Sequence, residues 1–168
     1  MTTGTKSLLF GVHQVFLHPY FVWRAWKQLY GPADWRTLVC IVVHDWGYWG
    51  CELMDDTEGE QHPYFAAKIA GRLFGPKWYD FCLDHSRHLA KKNGRTPSKL
   101  CWADKVSMSH DPMWFYLFRA RLSGELAEYR YNARQYVHPW LPDSVWFSWL
   151  RARMVRLAAE QKLETEHP

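Results

Sequence analysis

The chain has 168 residues, enough for one compact domain with a real core and too few for two ordinary ones. Eleven Trp, nine Tyr and nine Phe exclude a disordered polymer, since that much aromatic surface calls for packing. A formal net charge of +4, with both signs interspersed, makes no demand for nucleic acid and suits a small anionic ligand.

The cysteines at 40, 51, 82 and 101 show no CxxC spacing, and three lie in apolar helical patterns, so buried reduced thiols are expected. No basic-then-apolar signal opens the sequence. The longest apolar run falls far below the roughly 18 residues of a membrane span, which predicts a cytoplasmic protein without membrane contact.

Helical spacing dominates, and no run of alternating β-branched residues interrupts it. His18-Pro19 opens a predicted helix carrying Val22, Ala25, Trp26 and Leu29, and Gly31-Pro32 closes it. Asp34 is a candidate N-cap for a very apolar helix that runs into His44-Asp45. Residues 46–50 break it, and an acidic loop with Asp55, Asp56, Glu58 and Glu60 follows. His62-Pro63 opens a third helix whose predicted inner face is Phe65, Ala66, Ile69, Ala70 and Leu73. A fourth spans residues 78–92. Thr96-Pro97 starts a fifth, with Leu100, Cys101, Ala103 and Asp104. An aromatic helix covers residues 112–134, His138 to Pro142 form a turn, and Asp143 caps a last helix that fades into a polar tail at residues 160–168. The expected architecture is all-α, a compact bundle of six or seven helices forming one domain over residues 1–168.

Imidazoles and carboxylates carried by several helices form the ingredients of a hydrolytic metal centre. His18, His44, Asp45, His62, His85 and Asp104 stand in that order, each at or near a predicted helix. A carboxylate beside a histidine, as in His44-Asp45, can bridge two metal ions roughly 3.5–4 Å apart. Mixed His/Asp ligation without sulfur suits one or two divalent transition-metal ions, Fe, Mn, Co, Ni or Zn, without choosing among them. An ionised Asp45 or Asp104 on an apolar face needs a metal or a cationic partner, and Arg87 or Lys105 could serve as that partner instead.

The ordered pattern H…HD…H…H…D resembles the HD-domain metal-dependent phosphohydrolases. From His62 through Lys105 the sequence is similar to the YqeK-type diadenosine tetraphosphate hydrolases. In both, a histidine opens an Ala/Ile-rich helix ending in Phe-Gly, then comes a histidine followed by a small hydroxyl residue, here His85-Ser86. Ser98-Lys99-Leu100 then leads into Ala103-Asp104-Lys105. The resemblance covers residues 13–110, the expected metal-site core, and leaves residues 111–160 as additional aromatic helices. The interval from His18 to His44 is about a helical turn shorter than in that subgroup, so His13 stands beside His18 as a candidate first ligand.

The resemblance implies hydrolysis of a phosphoester or phosphoanhydride in a nucleotide-like substrate by a metal-activated water. Asp45, Arg87 and Lys105 are the expected catalytic groups, with Arg87 and Lys105 holding phosphate oxygens. His88 is expected to contact phosphate and Trp46 to stack on a base, with packing as the alternative for Trp46. Glu58 or Glu60 could transfer protons. The expected partner is a phosphorylated small molecule, and the aromatic helices are read either as a second hydrophobic layer or as an oligomer interface, that of a homodimer. Two other readings stay open: a mixed-valent di-iron oxygenase using the same six ligands, and a non-catalytic nucleotide-binding HD module.

Overall fold

A computed structural model of the chain describes residues 1–166, with side chains through residue 162. Within it run α1 (Thr3–Phe10), α2 (Leu17–Tyr30), α3 (Trp35–Val43), α4 (Pro63–Phe74), α5 (Pro76–Leu83), α6 (Arg87–Lys92), α7 (Lys99–Ser107), α8 (Met113–Ser123), α9 (Glu125–Ala133) and α10 (Asp143–Glu166). Two short 3₁₀ turns, Trp46–Tyr48 and Gly59–Gln61, flank the acidic loop, and no strand occurs among the described residues. The fold is all-α and compact, as the periodicity predicts. Among the described residues no helix is long and apolar enough to cross a membrane. His167 and the end of the polar tail lie outside the described residues.

The helix count exceeds the expected six or seven for local reasons. The first helix, α1, precedes the first predicted one; Thr2 caps it, its hydroxyl accepting from the Thr5 amide. The predicted helix over residues 78–92 is two helices. Ser86 takes an extended backbone conformation and its hydroxyl accepts from the Leu89 amide, which starts α6 afresh. Upstream, the Asp84 carboxylate is held by Arg95 through Nε at 2.7 Å and NH2 at 2.9 Å, pinning the turn. His85 therefore sits between helices rather than inside one. The aromatic helix over residues 112–134 also divides, at Gly124, whose φ of 94° belongs to the left-handed region that ends helices at glycine.

Two further expectations change in detail. Asp143 begins α10, but its carboxylate pairs with Arg121 and Arg130. On α4 the buried residues are Pro63, Ala66, Ala67 and Ala70, whereas Phe65 and Leu73 are exposed. The small inner face lets α4 approach its neighbours closely.

The principal core joins Val22 and Trp26 of α2, Cys40 and Ile41 of α3, the α4 alanines, Cys82 and Leu83 of α5, Leu89 of α6 and Leu100 of α7. Burying Val22, Ile41, Leu83, Leu89 and Leu100 contributes about 1.5–3 kcal/mol each. A second core is built on Tyr116, Leu117, Ala120, Trp146 and Phe147, and α10 lies against both α7 and α8. The aromatic helices thus form a second layer over the ligand-bearing ones, although Trp114 and Phe118 remain exposed. All four cysteines are buried and unpaired.

Candidate metal centre

The ends of helices, rather than their middles, deliver most of the candidate ligands. His18 lies in the first turn of α2, His44 and Asp45 follow the last residue of α3, His62 precedes α4, and His85 occupies the turn between α5 and α6. Asp104 alone sits well inside a helix, α7. At a helix end a histidine can fold back on its own backbone, and three of them do. His44 Nδ1 donates to Ile41 O at 2.8 Å, His62 Nδ1 to Gly59 O at 2.6 Å, and His85 Nδ1 to Cys82 O at 2.5 Å. Each acceptor is the carbonyl three residues back. A carbonyl only accepts, so Nδ1 carries the proton and Nε2 is left with its lone pair directed inward. This is the tautomer and the ring orientation that a metal ligand requires.

Asp45 lies at the middle of the cluster, and its two oxygens face different partners. Oδ2 stands 3.1 Å from His18 Nε2 and 3.0 Å from His44 Nε2, and Oδ1 stands 3.5 Å from His62 Nε2 and 3.6 Å from His85 Nε2. Asp104 Oδ1 completes the first group, 3.1 Å from His18 Nε2 and 3.8 Å from His44 Nε2. In each group, His18–His44–Asp45–Asp104 and Asp45–His62–His85, the donor atoms lie within 4.8 Å of one another. Asp45 belongs to both.

The donor set fits metal ions by its chemistry. Imidazole nitrogens and carboxylate oxygens converge, and no cysteine is among them. His18 Nε2, His44 Nε2 and Asp45 Oδ2 are buried, the nitrogens 3.1 and 3.0 Å from the oxygen, yet neither contact has the angle of a hydrogen bond, a costly arrangement unless a cation satisfies them together.

The electrostatics agree. Burial opposes the ionised Asp45, but His44, His13 and His18 around it hold its carboxyl well below the usual carboxylate range. Burial likewise opposes ionised Asp104, and Lys105, His18 and His44 outweigh it. Burial disfavours a charged His44, yet Asp45 and Asp104 raise it to about 10. His62 behaves oppositely, since burial and the facing His85 hold it well below its ordinary value. Two carboxylates that can keep a proton on a buried imidazole can keep a metal cation there in its place.

A chamber of about 240 Å³ opens over the first group, lined by His13, His18, Tyr48, Arg87, Asp104 and Lys105 and by further residues of α7 to α10. Lys105 Nζ lies 3.0 Å from Asp104 Oδ2, and Arg87 is exposed at the rim. The structure thus brings together His18, His44, Asp45, His62, His85, Asp104, Arg87 and Lys105. His88 and Trp46 are not brought with them. His88 is exposed on α6 and does not line the chamber, because it follows Arg87 around the helix. Trp46 instead borders a separate apolar groove of about 910 Å³ with Phe16, Pro19, Val42, Trp49 and Phe65. Of the candidate ligands only His62 reaches that groove, whereas His18 and Asp104 line the smaller chamber.

The acidic loop is partly structural. Glu58 accepts from the Glu52 amide and Glu60 accepts from Ser86 Oγ, tying the loop to the turn that carries His85. His13 is displaced from the ligand set, with Nε2 4.0 Å from Asp45 Oδ2 and Nδ1 engaged by Glu125. His18 is thereby the first ligand candidate. Tyr48, in the aromatic stretch directly after His44-Asp45, stacks its ring on His62 at 3.8 Å between centroids, whereas sequence reasoning missed Glu125, which lies beyond the motif-bearing region. No sequence signal pointed to Glu125.

No protein-family model, curated protein or solved structure matches this chain.

Proposed function

We propose that this protein is a metal-dependent phosphohydrolase of the HD type, acting on a small phosphorylated molecule. The observation that carries this reading is the double role of Asp45, one oxygen facing His18, His44 and Asp104 and the other facing His62 and His85. His18, His44, Asp45 and Asp104 would hold one divalent ion, and Asp45, His62 and His85 a second. Bound there, such ions supply Lewis acidity to a phosphoryl oxygen and lower the pKa of a water so that it is nucleophilic near neutrality.

The chain's own groups supply the rest. Backbone carbonyls fix three imidazole rings, so the donors need little rearrangement when a cation enters. Tyr48 covers one face of His62 and keeps solvent from it. Lys105 and Arg87, lining the chamber, hold phosphoryl oxygens and offset the negative charge that grows on them as the ester bond breaks. A chamber of about 240 Å³ lies below the range of roughly 300–1,000 Å³ that suits drug-sized ligands. Within the phosphorylated compounds, this favours small monophosphates over dinucleoside polyphosphates.

The test combines metal analysis with a screen of nucleotides and small phosphomonoesters for phosphate release. Asp45→Ala should lose metal and activity together, and a fully active D45A protein would overturn the reading. Oxygen-dependent turnover by an iron-loaded protein, without phosphate release, would assign the same six donors to an oxygenase.

A further inference from the structure

We propose that His13 is a substrate-contacting residue, aimed at the chamber by the buried carboxylate of Glu125, and that its Nε2 hydrogen-bonds a phosphoryl group bound over the metal centre. This rests on the phosphohydrolase reading and adds a recognition group that lies outside the ligand set.

His13 sits in the connection between α1 and α2, and Glu125 is the first residue of α9. Nδ1 of His13 donates to Glu125 Oε1 at 2.9 Å. Glu125 has no exposed surface and accepts from four other groups: Ser7 Oγ at 2.6 Å, the Val12 amide at 3.1 Å, Tyr129 OH at 3.1 Å, and Ser123 Oγ. Ser7 Oγ in turn accepts from the His13 amide at 3.2 Å. Both the ring and the backbone of His13 are therefore anchored to one carboxylate network. Such a network fixes ring orientation closely, because each lost bond strands a buried polar group.

The other end of the ring is free. Nε2 makes no hydrogen bond, its nearest acidic neighbour being Asp45 Oδ2 at 4.0 Å, beyond hydrogen-bonding distance. The side chain is 17% exposed and lines the same chamber as His18, Arg87, Asp104 and Lys105. The candidate ligands His44, His62 and His85 spend Nδ1 on a backbone carbonyl, whereas His13 spends it on a carboxylate. His13 also falls outside both groups of donors that lie within 4.8 Å of one another. An imidazole fixed at one nitrogen and open at the other, beside two cationic side chains, suits a tetrahedral oxyanion. Phosphate near neutrality offers both P–OH and P–O⁻, so Nε2 finds a partner whether the ring carries a proton on Nδ1 alone or on both nitrogens.

Two variants separate the ends of the ring. His13→Asn keeps an amide near the position of Nδ1, preserving the bond to Glu125, and removes the atom in the chamber. His13→Gln places its amide near the position of Nε2. With the full-length, metal-loaded protein, inorganic phosphate binding is measured by calorimetry and metal content by elemental analysis. H13N should keep wild-type metal content and bind phosphate about tenfold more weakly, the scale of one hydrogen bond to a charged group. H13Q should keep its metal and bind phosphate more tightly than H13N. Loss of metal in H13N would make His13 a ligand and overturn the proposal, as would wild-type phosphate affinity in H13N. A metal-loaded wild-type protein that binds no phosphate would fail one step earlier, overturning the phosphohydrolase reading and this inference with it.

Discussion

The Nε2 atoms of His62 and His85 stand 2.9 Å apart, while a backbone carbonyl takes the Nδ1 proton of each ring. Two neutral imidazoles in that arrangement point lone pairs at each other, and burial together with His85 holds His62 uncharged. A shared proton or a cation between them removes the repulsion, and Asp45 Oδ1 at 3.5 and 3.6 Å favours the cation. If so, His62→Ala or His85→Ala should reduce bound metal by about half, with the His18–His44–Asp104 group still loaded. Elemental analysis after dialysis reads this directly, and wild-type stoichiometry in both variants would refute it.

Gly47 controls the same histidine from behind. A Cβ at this position would lie 2.0 Å from the backbone oxygen of His62, and backbone cannot move aside as a flexible side chain can. Gly47→Ala should push the start of α4 outward, destabilise the fold by about 1–3 kcal/mol and lower metal content as His62→Ala does. Denaturant unfolding and metal analysis on one preparation test both parts.

The Glu125–His13 pair gives stability a pH window in the metal-free protein. Burial pushes the Glu125 carboxyl up, but His13, Ser123 and Ser7 bring it below its ordinary 4.5. Its stabilisation is thus complete above 4.5 and fades as pH falls through the lower folded value. Burial pulls His13 down, yet Asp45, Glu125 and Asp104 raise it above its ordinary 6.5. That part is complete below 6.5 and fades as pH rises through the higher folded value. The pair is strongest between 4.5 and 6.5. Glu125→Gln should cost about 1–3 kcal/mol in that window, with a smaller cost at lower pH, measured by urea unfolding.

Arg119 and Asp111 form a buried ion pair, and Arg119 also donates to Gly11 O at 2.9 Å, bracing the connection that carries His13. Arg119→Met strands the Asp111 carboxylate and should cost about 3–5 kcal/mol. Removing both charges in R119M/D111L should recover part of that loss. Equal instability of the single and double variants would show that the Gly11 bond, not the ion pair, carries the effect.

Much of the fold was legible in the sequence because helix signals are local. Asp34 caps α3, accepting from the Thr37 amide at 2.7 Å, and Pro63 starts α4 where its pattern begins, whereas Pro76 starts α5 two residues before the predicted start at 78. The errors were local too. Apolar spacing continues across His85 and across Gly124, and periodicity alone cannot see that Ser86 restarts a helix or that Gly124 turns left-handed. The separation of Trp46 from the chamber depends on which way a 3₁₀ turn faces after Asp45, which no spacing encodes.

By itself the sequence determined an all-α chain and the order of six candidate metal ligands, because caps, prolines and apolar spacing act over a few residues. Only the tertiary structure decided that His18 rather than His13 joins Asp45 and Asp104, and that Asp45 divides its oxygens between two groups. It also paired His13 with Glu125, 112 residues away. These relationships depend on the angles at which helix ends meet around a shared core. Contacts between distant segments set those angles, and no local stretch of the chain records them.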